Sequence, residues 1–317
     1  MISTFLKKGG SKAKAPLTVR LKNDLYKNGC LYLMLAPTVI FFLIFHYYPM
    51  FGVQIAFKDF SPGLGIFGSP WVGFKHFISF FESRHFQRVV RNTILINLKD
   101  LIFGFPAPIL LALMINEVNN RIFKKTAQII SYLPHFVSQV VMCGLLFEFS
   151  SLSGLFNNIR ELFGLTAVPI LQNPDWFQGI YVASGIWQGA GWGSIVYLSA
   201  LTSIDQEQYE SALIDGAGRF RQIWYITLPN LLPTIMIMLI LRIGQMMNIG
   251  VEKVMLLYNP LTYETADVIS TFVYRKGILE ASYSFSSAVG LFNSVVNFIL
   301  LVTVNFISKK TTETSLW

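Results

Sequence analysis

Uncharged, mostly apolar runs alternate along the chain with short charged segments. Residues 28–57, 126–147, 176–204 and 281–308 carry no charged side chain. Two further runs are interrupted once, 92–116 by Lys99-Asp100 and 222–251 by Arg242. About 20 helical residues, each rising about 1.5 Å, cross a hydrocarbon core about 30 Å thick. The six runs therefore predict six transmembrane helices. They are continuous rather than alternating with period two, which excludes a membrane β-barrel and makes the chain an all-α integral membrane protein. The first run follows a basic leader, as a signal peptide would, but a signal h-region is only about 7–15 residues long. Here the run continues through His46-Tyr47-Tyr48-Pro49 to Phe57, so it is expected to stay as a helix.

The segments between the runs are unequal. In 58–90, Trp71, Phe74, Phe77, Ile78 and Phe81 recur at helical spacing. This reads as an amphipathic helix on the outer membrane surface, serving either to seal the bundle or to dock an outside partner. Segments 150–175 and 252–282 are the other outer connections. The expected organisation is a basic N-terminal tail (1–28), one transmembrane domain (29–308) with a cytoplasmic segment at 203–229, and a short C-terminal tail (309–317).

Composition supports the membrane reading: 53% of the 317 residues are hydrophobic and only 13% charged, against about 25% charged in soluble domains. The net charge of +8 does not point to nucleic acid, because seven basic residues fall within 1–28. With the N-terminus inside, the inner segments hold 14 Lys and Arg against 9 outside, which predicts two cytoplasmic termini. The two cysteines, Cys30 and Cys143, imply no disulfide framework, and the four histidines show no metal-ligand spacing.

The inner segment Ser203–Pro229 carries the most information. Ser203 and Gln206 have capping-box spacing, and Asp205 and Glu207 fall where a helix dipole favours acids. Ile204, Tyr209, Ala212 and Leu213 form a broken apolar stripe, and Gly216 is placed to end the helix in a conformation that a side chain resists. A second amphipathic stretch has Phe220, Ile223 and Trp224 on its apolar side, and Pro229 and Pro233 open the next span. The expected product is a helix–Gly–helix protrusion joined rigidly to two spans.

At these residues the chain resembles the permease subunits of binding-protein-dependent ABC importers, whose signature is Glu-Ala-Ala, three residues, Gly, nine residues, Ile, one residue, Leu-Pro. Here it stands as Glu210-Ser211-Ala212, Gly216, Ile226 and Leu228-Pro229, with Ser211 as the departure. Other segments resemble the subgroup handling complex oligosaccharides and polysaccharide fragments: Phe45–Asp59, Arg91-Asn92-Thr93, Leu257–Pro260, Tyr263–Ile269, Tyr283–Leu291 and the terminal Leu316-Trp317. The resemblance implies a MetI-like, maltose-type permease fold in a bacterial cytoplasmic membrane. It implies Glu207, Glu210, Ser211, Ala212, Asp215, Gly216, Ala217 and Arg219 as the surface docking a separate ATPase. It also implies a second, homologous permease as heterodimer partner, two ATP-binding subunits that hold ATP and Mg, and an extracellular solute-binding protein. No cofactor is expected in this chain.

The chain has no Gly-x4-Gly-Lys-Ser/Thr phosphate cradle, so no ATP hydrolysis of its own is expected. Within the spans only Asp100 could act as a carboxylate relay, and Lys99 stands beside it, which disfavours an ion-coupled carrier. No nucleophile–base or metal constellation suggests an enzyme. Sugars are held by aromatic faces and a few placed polar groups. The candidates for a solute path are Trp187, Gln188, Trp192, Tyr197, Arg242, Gln245, Asn248, Asn293 and Asn297. A mid-span charge costs at least ~2.5 kcal/mol, so Arg242 has two possible roles: a structural one, paired with a residue such as Asp100 or facing the partner permease, or a cavity lining that meets sugar hydroxyls or a uronate-type carboxylate. The alternative to a sugar importer is an ABC permease for a non-sugar solute.

Overall fold

The computed structural model describes residues 17–312, with side chains from 26 to 310. The first sixteen residues of the basic tail and the terminal Leu316-Trp317 lie outside the described residues. All regular elements among the described residues are helical, and a single isolated bridge joins Lys58 to Trp71. In chain order we label α1 (Leu17–Phe42), α2 (Lys75–Phe81), α3 (Phe86–Lys99), α4 (Pro106–Asn116), α5 (Arg121–Tyr132), α6 (Gln139–Ser150), α7 (Leu155–Leu162) and α8 (Pro174–Thr202). They are followed by α9 (Gln206–Ile214), α10 (Arg219–Gln222), α11 (Leu228–Ile243), α12 (Val251–Leu257), α13 (Ile269–Tyr274) and α14 (Tyr283–Thr312).

Among the described residues, those up to Gln54 form one compact unit and those from Ile55 a second. In the first, α1 is interrupted at Asn28, contains Pro37, and passes through a wide turn at Leu43–Tyr47. Phe41 packs on Phe45, and Phe42 on His46, one helical turn along.

Five stretches among the described residues are long and apolar enough to cross a membrane: Tyr26–Phe57, Phe86–Asn116, Gln139–Leu162, Arg219–Ile243 and Tyr283–Lys310. The run expected at 176–204 forms α8, whose 29 residues suffice in length. Its glycines, serines and glutamines make it less apolar than those five. The run expected at 126–147 is not one helix. Pro134, which lacks an N–H, opens a tight turn at Leu133–Phe136. Ser138 then caps α6, its hydroxyl accepting from the Val141 N–H at 3.3 Å. The run expected to reach 251 stops at Ile243. Beyond Gly244 the chain turns, and the Met247 N–H donates to Asn297 Oδ1 at 2.8 Å rather than to a helical carbonyl.

The helix expected on the outer surface is also shorter than the sequence pattern predicts. It begins only at Lys75; Trp71 lies before it in the bridge to Lys58, and stacks on Phe57 at 5.7 Å. Phe80, outside the expected stripe, is the side chain that α2 buries. It joins Val89, Met247, Ile269, Phe272 and Val289 in one apolar cluster. A second cluster holds Ile109, Ala112, Tyr197, Leu201 and Leu231, and a third Ile96, Met142, Val254, Leu257 and Val268. Gly191 lets α8 pass α5 almost backbone to backbone, because a Cβ there would overlap the Ser131 carbonyl. Small residues serve this purpose where helices pack in membranes.

Between α3 and α13 lies a buried ionic clamp. Asp267 is 0% exposed and accepts from Arg88 at 2.9 Å, Arg275 at 2.8 Å and the Thr271 hydroxyl at 3.0 Å. Asn92 donates to the carbonyls of Glu264 and Asp267 at 2.9 and 3.0 Å. Arg88 also donates to His85 Nδ1 at 3.1 Å, which requires that nitrogen to be unprotonated. Burial first, then the Arg88 guanidinium, holds the His85 imidazole below its ordinary value of 6.5. Stability from neutral His85 is therefore complete above that ordinary value and declines as pH falls through the lowered one.

Replacing Asp267 with Asn leaves two guanidiniums facing each other without their shared anion. Breaking a buried pair in this way costs about 3–5 kcal/mol. Asp267→Asn should lower the melting temperature of the purified assembly by several degrees, and an unchanged value would contradict the clamp. Gly191→Val should separate α5 from α8 and reduce the amount of protein recovered from membranes; wild-type recovery would contradict the close approach.

Candidate functional site

Two regions bear on function: the 203–229 protrusion and the space around Arg242. In the protrusion, Asp205 rather than Ser203 caps α9, its Oδ1 accepting from the Glu207 N–H at 3.0 Å. Ser203 instead closes α8, its hydroxyl donating to the Ala200 carbonyl at 2.7 Å. The helix starts at Gln206, so only Asp205 stands at the position from which a side chain reaches the orphan donors.

At the other end Gly216 has φ +73°, the left-handed conformation that glycine enters freely. The Ala217 N–H bonds the Ala212 carbonyl at 2.8 Å, and the Gly216 N–H bonds the Leu213 carbonyl at 3.0 Å. These two bonds satisfy carbonyls that the helix end would leave open. Space around the Gly216 Cα is open, so the constraint there is conformational rather than steric.

The protrusion is fixed to the following span. Tyr209 Oη hydrogen-bonds Thr227 Oγ1 at 3.0 Å, and Asn230 Nδ2 donates to Gln208 Oε1 at 3.0 Å. Gln222 Nε2 donates to the Ala217 carbonyl at 2.8 Å. Glu207, Glu210, Ser211, Asp215, Gly216 and Arg219 are exposed, while Ala212 and Ala217 are half-buried. Large apolar side chains stand beside them in solvent, with Ile214 88% and Phe220 90% exposed and Trp224 and Tyr225 about two-thirds exposed.

Around Arg242 the structure gathers part of the expected solute path. A cavity of about 330 Å3 is lined by Tyr197, Arg242 and Gln245, with Asp100, Pro108 and the glycine face of α8 (Gly185, Gly189 and Gly193). A second, of about 230 Å3, has Arg242, Gln245 and Asn248 beside Asn97, Asp100, Tyr181 and Lys253. Gln188 lines a third, with His135 and Gln139, and donates to the Val137 carbonyl at 2.9 Å.

The remaining candidates do not line these spaces. Trp192 stacks on His135 at 4.6 Å, and Trp187 is exposed. Asn293 donates to Asn248 Oδ1 at 3.0 Å, and Asn297 accepts from Met247, so both hold the break after α11 in place.

Arg242 lies in the last turn of α11 rather than at mid-span, and pairs with Asp100. Its side chain is still 49% exposed and faces both cavities. Ion pairing and cavity lining therefore coexist at Arg242. Asp100 opens a wide turn at Asp100–Gly104. Pro106 cannot donate to the preceding turn, and the Phe105 N–H reaches back five residues to the Asp100 carbonyl at 3.0 Å. Sequence reasoning missed Asn97, Tyr181 and Lys253 as cavity residues. Lys253 falls in the segment 252–282 expected as an outer connection, and no pattern in the sequence pointed it to the cavity.

Comparison with known proteins agrees with this architecture. Residues 104–313 match the family described as binding-protein-dependent transport system inner membrane component. Protein LplB of Bacillus subtilis (strain 168) is 47% identical, over 88% of this chain and 88% of its own. The polygalacturonan/rhamnogalacturonan transport system permease protein YteP of the same organism is 43% identical over 94% and 93%. One solved structure, of a bacterial alginate ABC transporter in complex with an alginate pentasaccharide-bound periplasmic protein, contains a chain that superposes with a TM-score of 0.87. That chain is 46% identical, and the match covers 94% of this protein and all of that chain. With a helical membrane architecture, a capped protrusion between two spans and these matches, the chain belongs to the inner-membrane components of binding-protein-dependent transport systems, a family of non-catalytic permease subunits.

Proposed function

We propose that this chain is the permease subunit of an ATP-driven importer of oligosaccharides, and that its solutes are fragments of acidic polysaccharides. The observation carrying this reading is the cationic, partly polar cavity around Arg242, taken with relatives named for alginate and for polygalacturonan/rhamnogalacturonan transport. Both names denote polymers rich in carboxylates. In this reading the chain sits in a bacterial cytoplasmic membrane as six spans with both termini inside. It pairs with a second, homologous permease and receives solute from an extracellular binding protein.

ATP and Mg are held by two copies of a partner ATPase, docked on the exposed surface Glu207, Glu210, Ser211, Asp215, Gly216 and Arg219. Support for that docking comes from Ile214, Phe220, Trp224 and Tyr225 standing in solvent, with nothing among the described residues over them. Closure of the ATPase pair moves α9, and the bonds from Tyr209 and Gln208 to Thr227 and Asn230 carry that movement into α11. Transport by alternating access requires the ATPase to bind the two states with different affinity, because equal affinity shifts nothing.

Deleting the chain should abolish uptake of oligouronides from a panel of oligosaccharides, while uptake of unrelated solutes continues. Retained oligouronide uptake, or loss of a non-sugar solute instead, would reject the substrate class. Gly216→Val forces a branched side chain into a left-handed conformation, at a cost of about 1–3 kcal/mol, with no atom nearby to collide with it. It should uncouple ATP hydrolysis from uptake while the chain still inserts, and Glu210→Lys should do the same. Wild-type transport in both variants would remove this surface from the docking interface.

A further inference from the structure

We infer that the smaller cavity is a carboxylate subsite, in which Lys253 and Arg242 receive a uronate of the passing oligosaccharide and Asp100 keeps that carboxylate's place on Arg242 between transport cycles. This rests on the reading above that the solute is an acidic polysaccharide fragment.

Lys253 is the first support. It is 8% exposed, yet its ammonium has only the Tyr181 carbonyl at 2.8 Å and the Tyr181 ring at 4.5 Å. Neither neutralises the charge, and among the described residues no carboxylate pairs with it. A buried ion without a counter-ion is costly, but an anion entering the cavity would supply one. Gly185 keeps the ammonium uncovered, since a Cβ there would stand 3.3 Å from Nζ. The same wall presents Asn97, Gln245 and Asn248, neutral groups suited to hydroxyls.

Arg242 and Asp100 give the second support. The wall carries two cations against one carboxylate, so a single added carboxylate balances it. Gly104 makes room for Asp100, because a Cβ at 104 would run into its carboxylate. A uronate carboxylate is the same functional group as the Asp100 side chain. Exchanging one for the other never leaves the guanidinium without a counter-ion inside the bundle. The exchange is thus close to balanced, as conduction through a binding site requires: tight enough to enter and weak enough to leave.

The test uses the complete transporter with its binding protein in proteoliposomes, and trigalacturonate and its carboxyl-reduced counterpart as probes. Lys253→Met keeps the stem and removes a buried charge that has no counter-ion, so the fold no longer bears that charge's desolvation. It should lower trigalacturonate uptake per assembled complex by about tenfold, the scale of one charge-assisted contact, with the melting temperature unchanged or raised. Lys253→Arg should restore most of the uptake. Asp100→Asn should lower both the half-saturating concentration of loaded binding protein and the maximal rate, because the solute then has no competitor for Arg242. Unchanged uptake in Lys253→Met, or a loss of uptake accompanied by a lower melting temperature, would overturn the subsite. A raised half-saturating concentration in Asp100→Asn would overturn the exchange. Wild-type import of the carboxyl-reduced form alone would reject the acidic substrate class before any variant is compared, and the subsite with it.

Discussion

A guanidinium within a transmembrane bundle needs a counter-ion or water, and much of the described architecture follows from how Arg242 obtains both. Asp100 supplies the counter-ion from the wide turn between α3 and α4, in the middle of the Phe86–Asn116 span. The cavities supply the opening, made possible by Gly104 beside Asp100 and by the glycine face of α8 opposite. The helix carrying Arg242 ends one residue later, and the turn that follows is held by bonds to carbonyls three residues back and, at Met247, by Asn297. Broken backbone at membrane depth is tolerated where it is buried in protein or lines a cavity. Here the break brings Gln245 and Asn248 to the same wall as the ion pair.

The cavity and the protrusion are opposite ends of the same two helices. α11 has Arg242 in its last turn and, just before its start, Thr227 bonded to Tyr209 of α9. Its 16 residues span about 24 Å at 1.5 Å per residue. α8 likewise runs from Tyr181 and Gly185 at the cavity to Ser203 at the root of the protrusion. In the proposed mechanism, a displacement of α9 would reach the cavity wall through packed helices rather than through a flexible loop. The second cluster, with Tyr197 and Leu201 of α8 against Leu231 of α11, packs the two helices together.

Local features were legible in the sequence and tertiary ones were not. Gaps between charges gave the helical class and most of the spans, because desolvation acts on each run independently of the others. The Gly216 stop was readable because a left-handed residue closing a helix is decided within a few positions. The cap was misplaced from Asp205 to Ser203 because both residues suit that role, and only the true start of the helix decides between them. An absence of charge also concealed the break at Pro134 and the end of α11 at Ile243, since both interruptions are made of uncharged residues. Lys253 could not be assigned to the cavity from sequence. Its neighbours there, Tyr181 and Gly185, lie some seventy residues earlier, and only the packing of α12 near α8 brings them together.

Arg242 facing water and protein, never lipid, is the central claim. Its most direct test is to place a cysteine at 242 in a background without Cys30 and Cys143, and to label the assembled transporter in membranes. The account predicts reaction with a charged, membrane-impermeant thiol reagent in one nucleotide state, and protection by the carried oligosaccharide. Reaction only with lipid-soluble reagents, in every state, would contradict it.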